Sequence, residues 1–389
     1  MTASQQFSDH LQPLWQARDL TTPAFVYDEF AIIEKLGFLA KFREASGCNI
    51  LYSVKALSFT GVLNTIAAHV DGFSTSSSFE SQLAKEILGD KGSIHITSPG
   101  IRQTDMDIVS EFCDYINFNS ISQWQQCRTA AEGLNCGLRV NPELSFVKDE
   151  RYNPSRNFSK LGVPLSQLAS MGHKEEISAI KGILIHNNCE SEDFQQLAKT
   201  VEQVCDSLNN LISGLEWINL GGGYLFNSAS QLDILCEIVT GLKEQYGLDV
   251  FFEPGKAIVG RAGYLVASII DLLDSGGKVV AILDTTVNHL PEVFEYQYKP
   301  NVLQENPDGI HEYRLAGASC LSGDIFGDYH FDEELQVGSR IIFANVGAYM
   351  FVKANMFNGI NLPAVYSLSI ESNLQLQKEF SYTHFRSRL

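Results

Sequence analysis

The stretch that decides the fold is residues 72–97, GFSTSSSFESQLAKEILGDKGSIHIT. It begins with the short run Gly72–Thr75 and continues through Ser78–Leu88, where apolar residues recur with helical spacing. It ends in the run Ile94–Thr97. Two parallel strands need a crossover element between them, usually a helix. This stretch therefore predicts a strand, a helix and a second, parallel strand.

The same rhythm extends over the middle of the chain. Short apolar or β-branched runs that predict strands are Asn49–Val54, Gly72–Thr75, Ile94–Thr97, Tyr115–Phe118, Gly137–Val140, Gly182–Ile185, Trp217–Leu220 and Val250–Phe252. Stretches with helical spacing, such as Ile121–Ala131 and Asp193–Leu208, lie between them. Eight strands that alternate with helices predict an α/β fold, a (β/α)8 TIM barrel over residues 30–260.

After about Gly260 the pattern changes to strands separated by turn residues. The runs that indicate strands are Ala262–Ile270, Lys278–Leu283, Glu312–Ala318 and Arg340–Val346. The segment Thr22–Tyr27 is also extended and could pair with them. We therefore predict a second, mostly β domain, a β-sandwich or β-barrel, built from residues 1–29 and 261–389.

The composition limits the partners of this chain. Its formal net charge of −18 disfavours nucleic acid and an anionic membrane, because both require a basic surface. No apolar run reaches the roughly 20 residues that cross a bilayer, and the first residues carry no signal segment. We therefore expect a cytoplasmic protein. The eight cysteines form no C-x-x-C pair, so no metal site is predicted.

Catalytic groups of such barrels lie where the strands end. Lys55 ends the first strand, in ILYSVKAL, and burial would lower the pKa of its amine and favour the free nucleophile. A lysine in a salt bridge at the barrel mouth would give the same pattern. His186 ends the sixth strand, in GILIHNNCE. Its imidazole could stack on an aromatic ring or be a core histidine with satisfied nitrogens.

Glycines and a carboxylate follow the last two strands. Gly221–Gly223 could bring backbone N–H groups close to a phosphate or simply form a flexible turn. Glu253 needs a partner if it is buried, and either a pyridinium nitrogen or Arg139 on the fifth strand would serve. The turn at Pro254–Gly255 could present further N–H groups to the same phosphate.

In this order, the motifs resemble those of the fold-type III pyridoxal-phosphate (PLP) decarboxylases. The resemblance rests on a lysine after strand one, H-x-N-C-E after strand six, GGG after strand seven and EPG after strand eight. GASCLSGD (Gly317–Asp324) is similar to the cysteine loop of that family, and GAYMFVKANMFNG (Gly347–Gly359) is similar to its tyrosine segment. The match runs from about Thr22 to the C-terminus.

Several strings resemble the carboxynorspermidine and carboxyspermidine decarboxylases of this family. They are HNNCE, PSRNFSKLGV (Pro154–Val163), CLSGD, FNGINLPAVY and FSYTHFRSRL. Ornithine decarboxylases have the acid directly after the cysteine, whereas Asp324 lies four residues beyond Cys320. One departure is Lys256, because these relatives often have an acidic residue after EPG. A basic residue there is similar to ornithine decarboxylase, where it helps to hold phosphate.

The resemblance implies specific roles. Lys55 would bind PLP as a Schiff base, Glu253 would pair with the ring nitrogen, and His186 would stack on the ring. Cys320 would return a proton to the substrate Cα; otherwise it is a small buried hydrophobe. The implied cofactor-binding residues are Lys55, His186, Gly221, Gly222, Gly223, Glu253, Gly255, Lys256 and Tyr349. Cys320, Asp284 and Asp324 are the substrate-binding candidates, although either aspartate could be a solvated turn carboxylate.

The implied reaction is decarboxylation of carboxynorspermidine or carboxyspermidine to norspermidine or spermidine, in polyamine biosynthesis. In that family the cysteine loop crosses from the partner subunit, which implies a homodimer with shared active sites. Two alternatives remain: an ornithine, lysine or diaminopimelate decarboxylase of the same fold, and an inactive regulatory homologue. The latter would be expected to lose the lysine, the glycine triplet or the cysteine, and all are present. Glu253 disfavours an alanine-racemase-like enzyme, whose ring nitrogen pairs with a positive residue.

Overall fold

The structure, a computed structural model, describes residues 9–171, 177–227 and 229–389. The chain divides into two compact units. Glu34–Ile258 form one, here called the barrel unit, and the segment up to Ile33 together with Val259–Leu389 forms the other, here called the β unit. Within the described ranges, no helix is long and apolar enough to cross a membrane.

Strands and helices alternate in the barrel unit, and strands predominate in the β unit. The strands are β1 (Ala24–Asp28), β2 (Asn49–Ser53), β3 (Gly72–Thr75), β4 (Ser93–Ser98), β5 (Tyr115–Phe118), β6 (Asn135–Asn141), β7 (Val163–Pro164), β8 (Gly182–Ile185), β9 (Trp217–Asn219), β10 (Asp249–Phe252), β11 (Gly263–Ser275), β12 (Lys278–Leu283), β13 (His311–Ala316), β14 (Ile325–Phe331), β15 (Arg340–Ala344), β16 (Ala364–Leu368) and β17 (Leu374–Lys378). The α-helices are α1 (Pro13–Gln16), α2 (Glu29–Ser46), α3 (Thr60–Ala67), α4 (Ser78–Leu88), α5 (Met106–Phe112), α6 (Ile121–Cys127), α7 (Leu165–Met171), α8 (Gln195–Ile212), α9 (Leu232–Tyr246), α10 (Lys256–Val259), α11 (Pro291–Tyr296), α12 (Met350–Lys353) and α13 (Tyr382–Arg386).

The strands of the barrel unit close into a parallel ring. Its order is β2, β3, β4, β5, β6, β8, β9 and β10, and β10 pairs again with β2. The two-residue strand β7 is added to β6 outside this ring. The predicted α/β TIM barrel is confirmed. Each of its strands lies within two residues of the bounds expected from the sequence.

The stretch quoted first folds as predicted, and it places a carboxylate at the strand ends. Helix α4 begins after Ser77, whose hydroxyl accepts the N–H of Glu80 at 3.2 Å. Its buried positions Ser81, Ala84 and Leu88 follow helical spacing. The helix ends before Gly89, whose positive φ of 59° suits a glycine. Glu80 is therefore held in the first turn after β3.

Aromatic side chains fill the barrel around Trp217, the first residue of β9. The Trp217 ring lies 5.5 Å from that of Tyr115 and 6.4 Å from that of Phe251. A Cβ at Gly182 would lie 2.1 Å from the indole, and one at Gly137 would lie 2.4 Å from it. These glycines of β8 and β6 make room for the indole. The interior is thus packed near the beginnings of the strands, as in other TIM barrels.

The β unit is organised by one long strand. The first part of β11 pairs antiparallel with β1 and β15, and its second part pairs antiparallel with β12. Strands β13 and β14 continue the sheet beyond β12, and β16 and β17 continue it beyond β1. The pairs β12–β13 and β1–β16 are parallel, and the other described pairs of this sheet are antiparallel. The mostly β second domain is confirmed, and the extended N-terminal segment joins it as β1. The sequence prediction missed β14, β16 and β17.

Candidate active site

Lys55 lies in the single turn Val54–Ala56 that follows β2, at the C-terminal end of the barrel. The side chain of Lys55 is exposed, yet the surrounding protein desolvates its amine. This desolvation lowers the pKa of the amine. The carboxylate of Glu253 opposes this decrease, and the charge of Arg139 adds to it. A lowered pKa leaves more of the amine unprotonated, the form that attacks a carbonyl carbon.

Glu253 directly follows β10 and is only 6% exposed. Its Oε1 accepts a hydrogen bond of 2.8 Å from Nδ2 of Asn219, while Oε2 has no hydrogen-bond partner among the described residues. Burial lowers the pKa of Arg139 to about 10, against the attraction of Glu253. The two side chains form no direct ion pair in the described part of the chain. The carboxylate is therefore held in place with one oxygen left for another group.

The glycine triplet after β9 uses two of its three N–H groups within the protein. Gly221 donates to Oδ1 of Asn219 at 2.8 Å, and Gly222 donates to Nδ1 of His186 at 3.0 Å. Gly223 donates to no acceptor in residues 9–171, 177–227 or 229–389. Of the three amides that the sequence suggested for a phosphate, one is thus left to bind it.

Close packing is a second reason for these glycines. A Cβ at Gly222 would lie 2.5 Å from the carbonyl oxygen of Glu253, and one at Gly223 would lie 2.1 Å from that of Asn188. Gly221 and Gly223 also have positive φ angles of 66° and 91°. Larger residues would therefore push apart the loops that follow β8, β9 and β10.

His186 is the first residue after β8, and its imidazole is neutral. Burial, together with the positive charges of Lys55 and Arg139, holds its pKa well below the ordinary value. Because Nδ1 accepts the N–H of Gly222, the proton of the neutral ring is on Nε2. The ring is therefore fixed in both tautomer and orientation by the glycine loop.

The turn at Gly255 packs on the turn that carries Lys55. A Cβ at Gly255 would lie 2.9 Å from Cβ of Ala56, and the N–H of Ser53 donates to the carbonyl oxygen of Pro254 at 3.2 Å. The N–H of Gly255 has no acceptor among the described residues. Beside it, Nζ of Lys256 lies 2.5 Å from Oε1 of Glu190 in an exposed ion pair.

The β unit holds the remaining candidates. Cys320 is exposed, and its N–H donates to Oδ1 of Asn358 at 2.8 Å, so the tyrosine segment anchors the cysteine loop. Tyr349 is half-buried and has a left-handed φ of 68°, which is unfavourable for a bulky residue. Its segment packs closely, since a Cβ at Gly347 would lie 1.9 Å from the carbonyl oxygen of Val259.

Asp324 is buried, 3% exposed, and both of its carboxylate oxygens are occupied. Oδ1 accepts the N–H of Val287 at 2.7 Å, and Oδ2 accepts the N–H of Ser319 at 3.0 Å and its hydroxyl at 2.5 Å. A Cβ at Gly317 would lie 2.2 Å from Oδ1 of Asp324. These contacts hold the cysteine loop in shape and leave no free oxygen for an ammonium group.

Asp284 is also engaged within its own unit. Its Oδ2 accepts the hydroxyl of Thr22 at 2.6 Å, and its Oδ1 accepts the N–H of Ser268 at 2.9 Å. Burial raises its pKa, while these two hydrogen bonds lower it. The carboxylate follows β12 and links the segment before β1 to β11, a structural arrangement.

The barrel residues fit PLP. The carboxylate of Glu253, with Oε2 unpartnered, suits a protonated ring nitrogen, and the amine of Lys55 suits the carbonyl carbon. The N–H groups of Gly223 and Gly255 suit the phosphate. Among the described residues, no group of three or more His, Cys, Asp and Glu side chains could hold a metal ion.

Comparison with known families decides the identity of this site. The model of the pyridoxal-dependent decarboxylases, pyridoxal binding domain, matches residues 34–260. The chain belongs to the pyridoxal-dependent decarboxylases. The predicted family, the predicted enzyme class (a decarboxylase) and the predicted cofactor, PLP, are thereby confirmed.

Several relatives of this decarboxylase have been characterised. It is 31% identical to the carboxynorspermidine/carboxyspermidine decarboxylase of Herminiimonas arsenicoxydans, over 95% of this chain and 100% of the relative. It is 33% identical to the carboxyaminopropylagmatine decarboxylase of Synechocystis sp., over 95% and 96% of the two chains. The solved carboxynorspermidine decarboxylase of Campylobacter jejuni, in complex with norspermidine, matches with a TM-score of 0.87 and 28% identity, over 95% and 100% of the chains.

Two residues of the decarboxylase site were missed by the sequence interpretation. Glu80 is half-buried and accepts the N–H of Ser76 at 2.7 Å; burial raises its pKa, and the charge of Lys55 lowers it. The spacing Ser77-x-x-Glu80, a capping box before a helix, was the available signal. Asn219 lies inside the apolar strand β9, and only its polarity marked it.

Proposed function

We propose that this decarboxylase removes carbon dioxide from carboxynorspermidine or carboxyspermidine, giving norspermidine or spermidine. The observation that carries the proposal is the buried carboxylate of Glu253, which Asn219 holds by a hydrogen bond of 2.8 Å and whose charge opposes the decrease in the pKa of the Lys55 amine. The relatives from Herminiimonas and Campylobacter, which match over nearly the whole chain, support the polyamine substrate.

The barrel residues would hold PLP and prepare it for decarboxylation. Bound PLP supplies an electron sink for the electron pair that departing carbon dioxide leaves on the substrate Cα. Glu253 keeps the proton on the ring nitrogen, which strengthens that sink. Lys55 would hold the cofactor through its amine, whose lowered pKa favours the unprotonated form. The neutral ring of His186, fixed by Gly222, packs on the cofactor face.

The phosphate would be held by a smaller set of groups than the sequence suggested. We assign it to the N–H groups of Gly223 and Gly255 and to the ammonium of Lys256. Gly221 and Gly222 would act by close packing and by orienting Asn219 and His186, because their N–H groups are already engaged.

Cys320 would return a proton to the substrate Cα across a homodimer interface. The thiol is exposed, and exposed apolar side chains flank its loop: Phe294, Ile325 and Phe357 are 50%, 38% and 44% exposed. Such a surface fits a second copy of this chain. We place the enzyme in the cytoplasm, where an exposed thiol stays reduced. Asp284 and Asp324 would be structural.

A second candidate substrate follows from the Synechocystis relative, whose identity to this chain is 33%. Carboxyaminopropylagmatine ends in a guanidinium group, whereas the carboxylated polyamines end in an ammonium group. The acidic balance of this chain, −18, suits either cation and does not separate them.

A substrate panel tests the proposal. Carbon dioxide release would be measured from carboxynorspermidine, carboxyspermidine, carboxyaminopropylagmatine, diaminopimelate, ornithine and lysine. We expect the highest kcat/KM with one of the two carboxylated polyamines. A preference for carboxyaminopropylagmatine would establish the second candidate, and a preference for diaminopimelate, ornithine or lysine would overturn both.

A further inference from the structure

The ion pair between Glu190 and Lys256 spans the glycine loop. Glu190 follows β8, Lys256 follows β10, and the glycines follow β9, the strand between these two. Nζ of Lys256 lies 2.5 Å from Oε1 of Glu190. The side chain of Lys256 is 32% exposed, and that of Glu190 is 46% exposed. The pair therefore connects the loops on either side of the proposed phosphate-binding amides.

The backbone holds Glu190 in this position. Its φ is 53°, which is uncommon for a residue other than glycine, asparagine or aspartate. The next residue, Ser191, donates its N–H to the carbonyl oxygen of Gly223 at 2.8 Å and accepts the N–H of Leu225 at 2.9 Å. The loop after β8 is thus hydrogen-bonded to the glycine loop. These hydrogen bonds, and not the backbone preference of a glutamate, fix the position of Glu190.

The charges of the loops after β8, β9 and β10 make this ion pair important for phosphate binding. Residues 186–194, 220–227 and 253–256 contain four carboxylates, on Glu190, Glu192, Asp193 and Glu253, but Lys256 is their one lysine or arginine. A phosphate dianion in this setting is repelled by the carboxylates and attracted by Lys256. Few backbone amides remain to offset this repulsion, because the N–H groups of Gly221 and Gly222 already donate to Asn219 and His186.

We propose that Glu190 competes with the cofactor phosphate for Lys256 and thereby weakens the binding of PLP. The inference rests on the role proposed above for Lys256 at the phosphate. Glu190 acts through Lys256, so it is a positioning residue that sets cofactor affinity. Neutralising Glu190 leaves the ammonium of Lys256 to the phosphate.

Cofactor titrations of the apoprotein test this. Visible absorbance would follow the binding of PLP and, separately, of pyridoxal, which lacks the phosphate. We expect Glu190→Gln to lower the Kd for PLP by roughly two- to fivefold, the range that an exposed ion pair supports. Glu190→Asn, which suits a positive φ, should do the same. Lys256→Gln should raise the Kd, and the double variant Glu190→Gln/Lys256→Gln should match Lys256→Gln alone.

The controls separate a phosphate effect from a general one. Binding of pyridoxal should be the same in all of these variants. Asp90→Asn removes the partner of Lys85, 2.9 Å away in another exposed ion pair, and should leave the Kd for PLP unchanged. The proposal is overturned if neutral Glu190 variants bind PLP no better than the unaltered protein. It is also overturned if their gain persists without Lys256 or appears with pyridoxal. An unchanged Kd in Lys256→Gln would instead remove Lys256 from the phosphate site, and the substrate panel remains a separate test.

Discussion

Asn219 donates its side-chain N–H to Oε1 of Glu253 across 2.8 Å inside the barrel. Its own Oδ1 accepts the N–H of Gly221, also at 2.8 Å. One amide side chain therefore orients both the carboxylate assigned to the ring nitrogen and the first glycine of the phosphate loop. A buried carboxylate depends on such donors to remain charged.

Loss of this donor should weaken catalysis. A hydrogen bond to a charged group is worth about 1.5–3 kcal/mol, so we expect Asn219→Leu to lower kcat by roughly 10- to 100-fold. Asn135→Leu removes an exposed amide at the other end of the strands and should behave like the unaltered protein. An unchanged kcat in Asn219→Leu would contradict this role.

Lys55 should be essential for attaching the cofactor. We expect Lys55→Ala to lose the visible absorbance of lysine-bound PLP together with turnover, because no other amine takes its place in the turn after β2. Absorbance spectra and carbon dioxide release measure both. Lys85→Ala removes an exposed amine on α4 and should keep the absorbance band. Near-normal turnover in Lys55→Ala would remove the lysine from the mechanism.

The rate at which apoprotein combines with PLP should depend on pH through the amine of Lys55. Its pKa is lowered, so the rate should level off at a lower pH than for free lysine, whose pKa is about 10.4. The charge of Arg139 contributes to the decrease, and that of Glu253 opposes it. Arg139→Met should therefore move the profile to higher pH, and Glu253→Gln should move it to lower pH. Shifts in the same direction would contradict this electrostatic picture.

Cys320 should act after carbon dioxide has left. We expect Cys320→Ala to bind PLP normally and to release product slowly or with a misplaced proton. Single-turnover kinetics and the position of deuterium in product formed in heavy water would measure both. Cys205→Ala replaces a partly buried thiol on α8 and should have no such effect. Unchanged kinetics in Cys320→Ala would leave the proton donor to be found elsewhere.

Subunit mixing tests the shared site. In a homodimer whose site combines Lys55 of one copy with Cys320 of the other, a Lys55→Ala copy paired with a Cys320→Ala copy keeps one intact site. Mixing the two variants should therefore restore about half of the normal activity in each mixed dimer, or about a quarter averaged over randomly paired dimers. Each variant mixed with itself is the control. Absence of any recovery would place both residues of a site in one chain.

Asp324 should matter for stability rather than for substrate affinity. Its carboxylate accepts three hydrogen bonds, one from Val287 and two from Ser319, so we expect Asp324→Asn to destabilise the fold by about 1–3 kcal/mol. Gly317→Ala should also destabilise, because its Cβ would lie 2.2 Å from that carboxylate. Thermal unfolding and the KM of the folded variants measure both effects. A raised KM with unchanged unfolding would make Asp324 a substrate ligand.

The sequence by itself determined the barrel and the residues at its strand ends. Parallel strands covered by helices on the outside are near-continuous apolar runs, so their bounds are visible in the sequence. The ends of parallel strands meet at one end of a closed barrel, and Lys55, His186 and Glu253 follow three such strands. Their grouping thus followed from order along the chain.

Only the tertiary structure decided how those residues are used. It assigned the N–H groups of Gly221 and Gly222 to Asn219 and His186, and it occupied both oxygens of Asp324 with donors from Val287 and Ser319. A sequence shows the same residues whether these N–H groups are hydrogen-bonded within the protein or free to bind a ligand. Hydrogen bonds depend on which loops pack together across long separations along the chain, and that packing is settled when the fold forms.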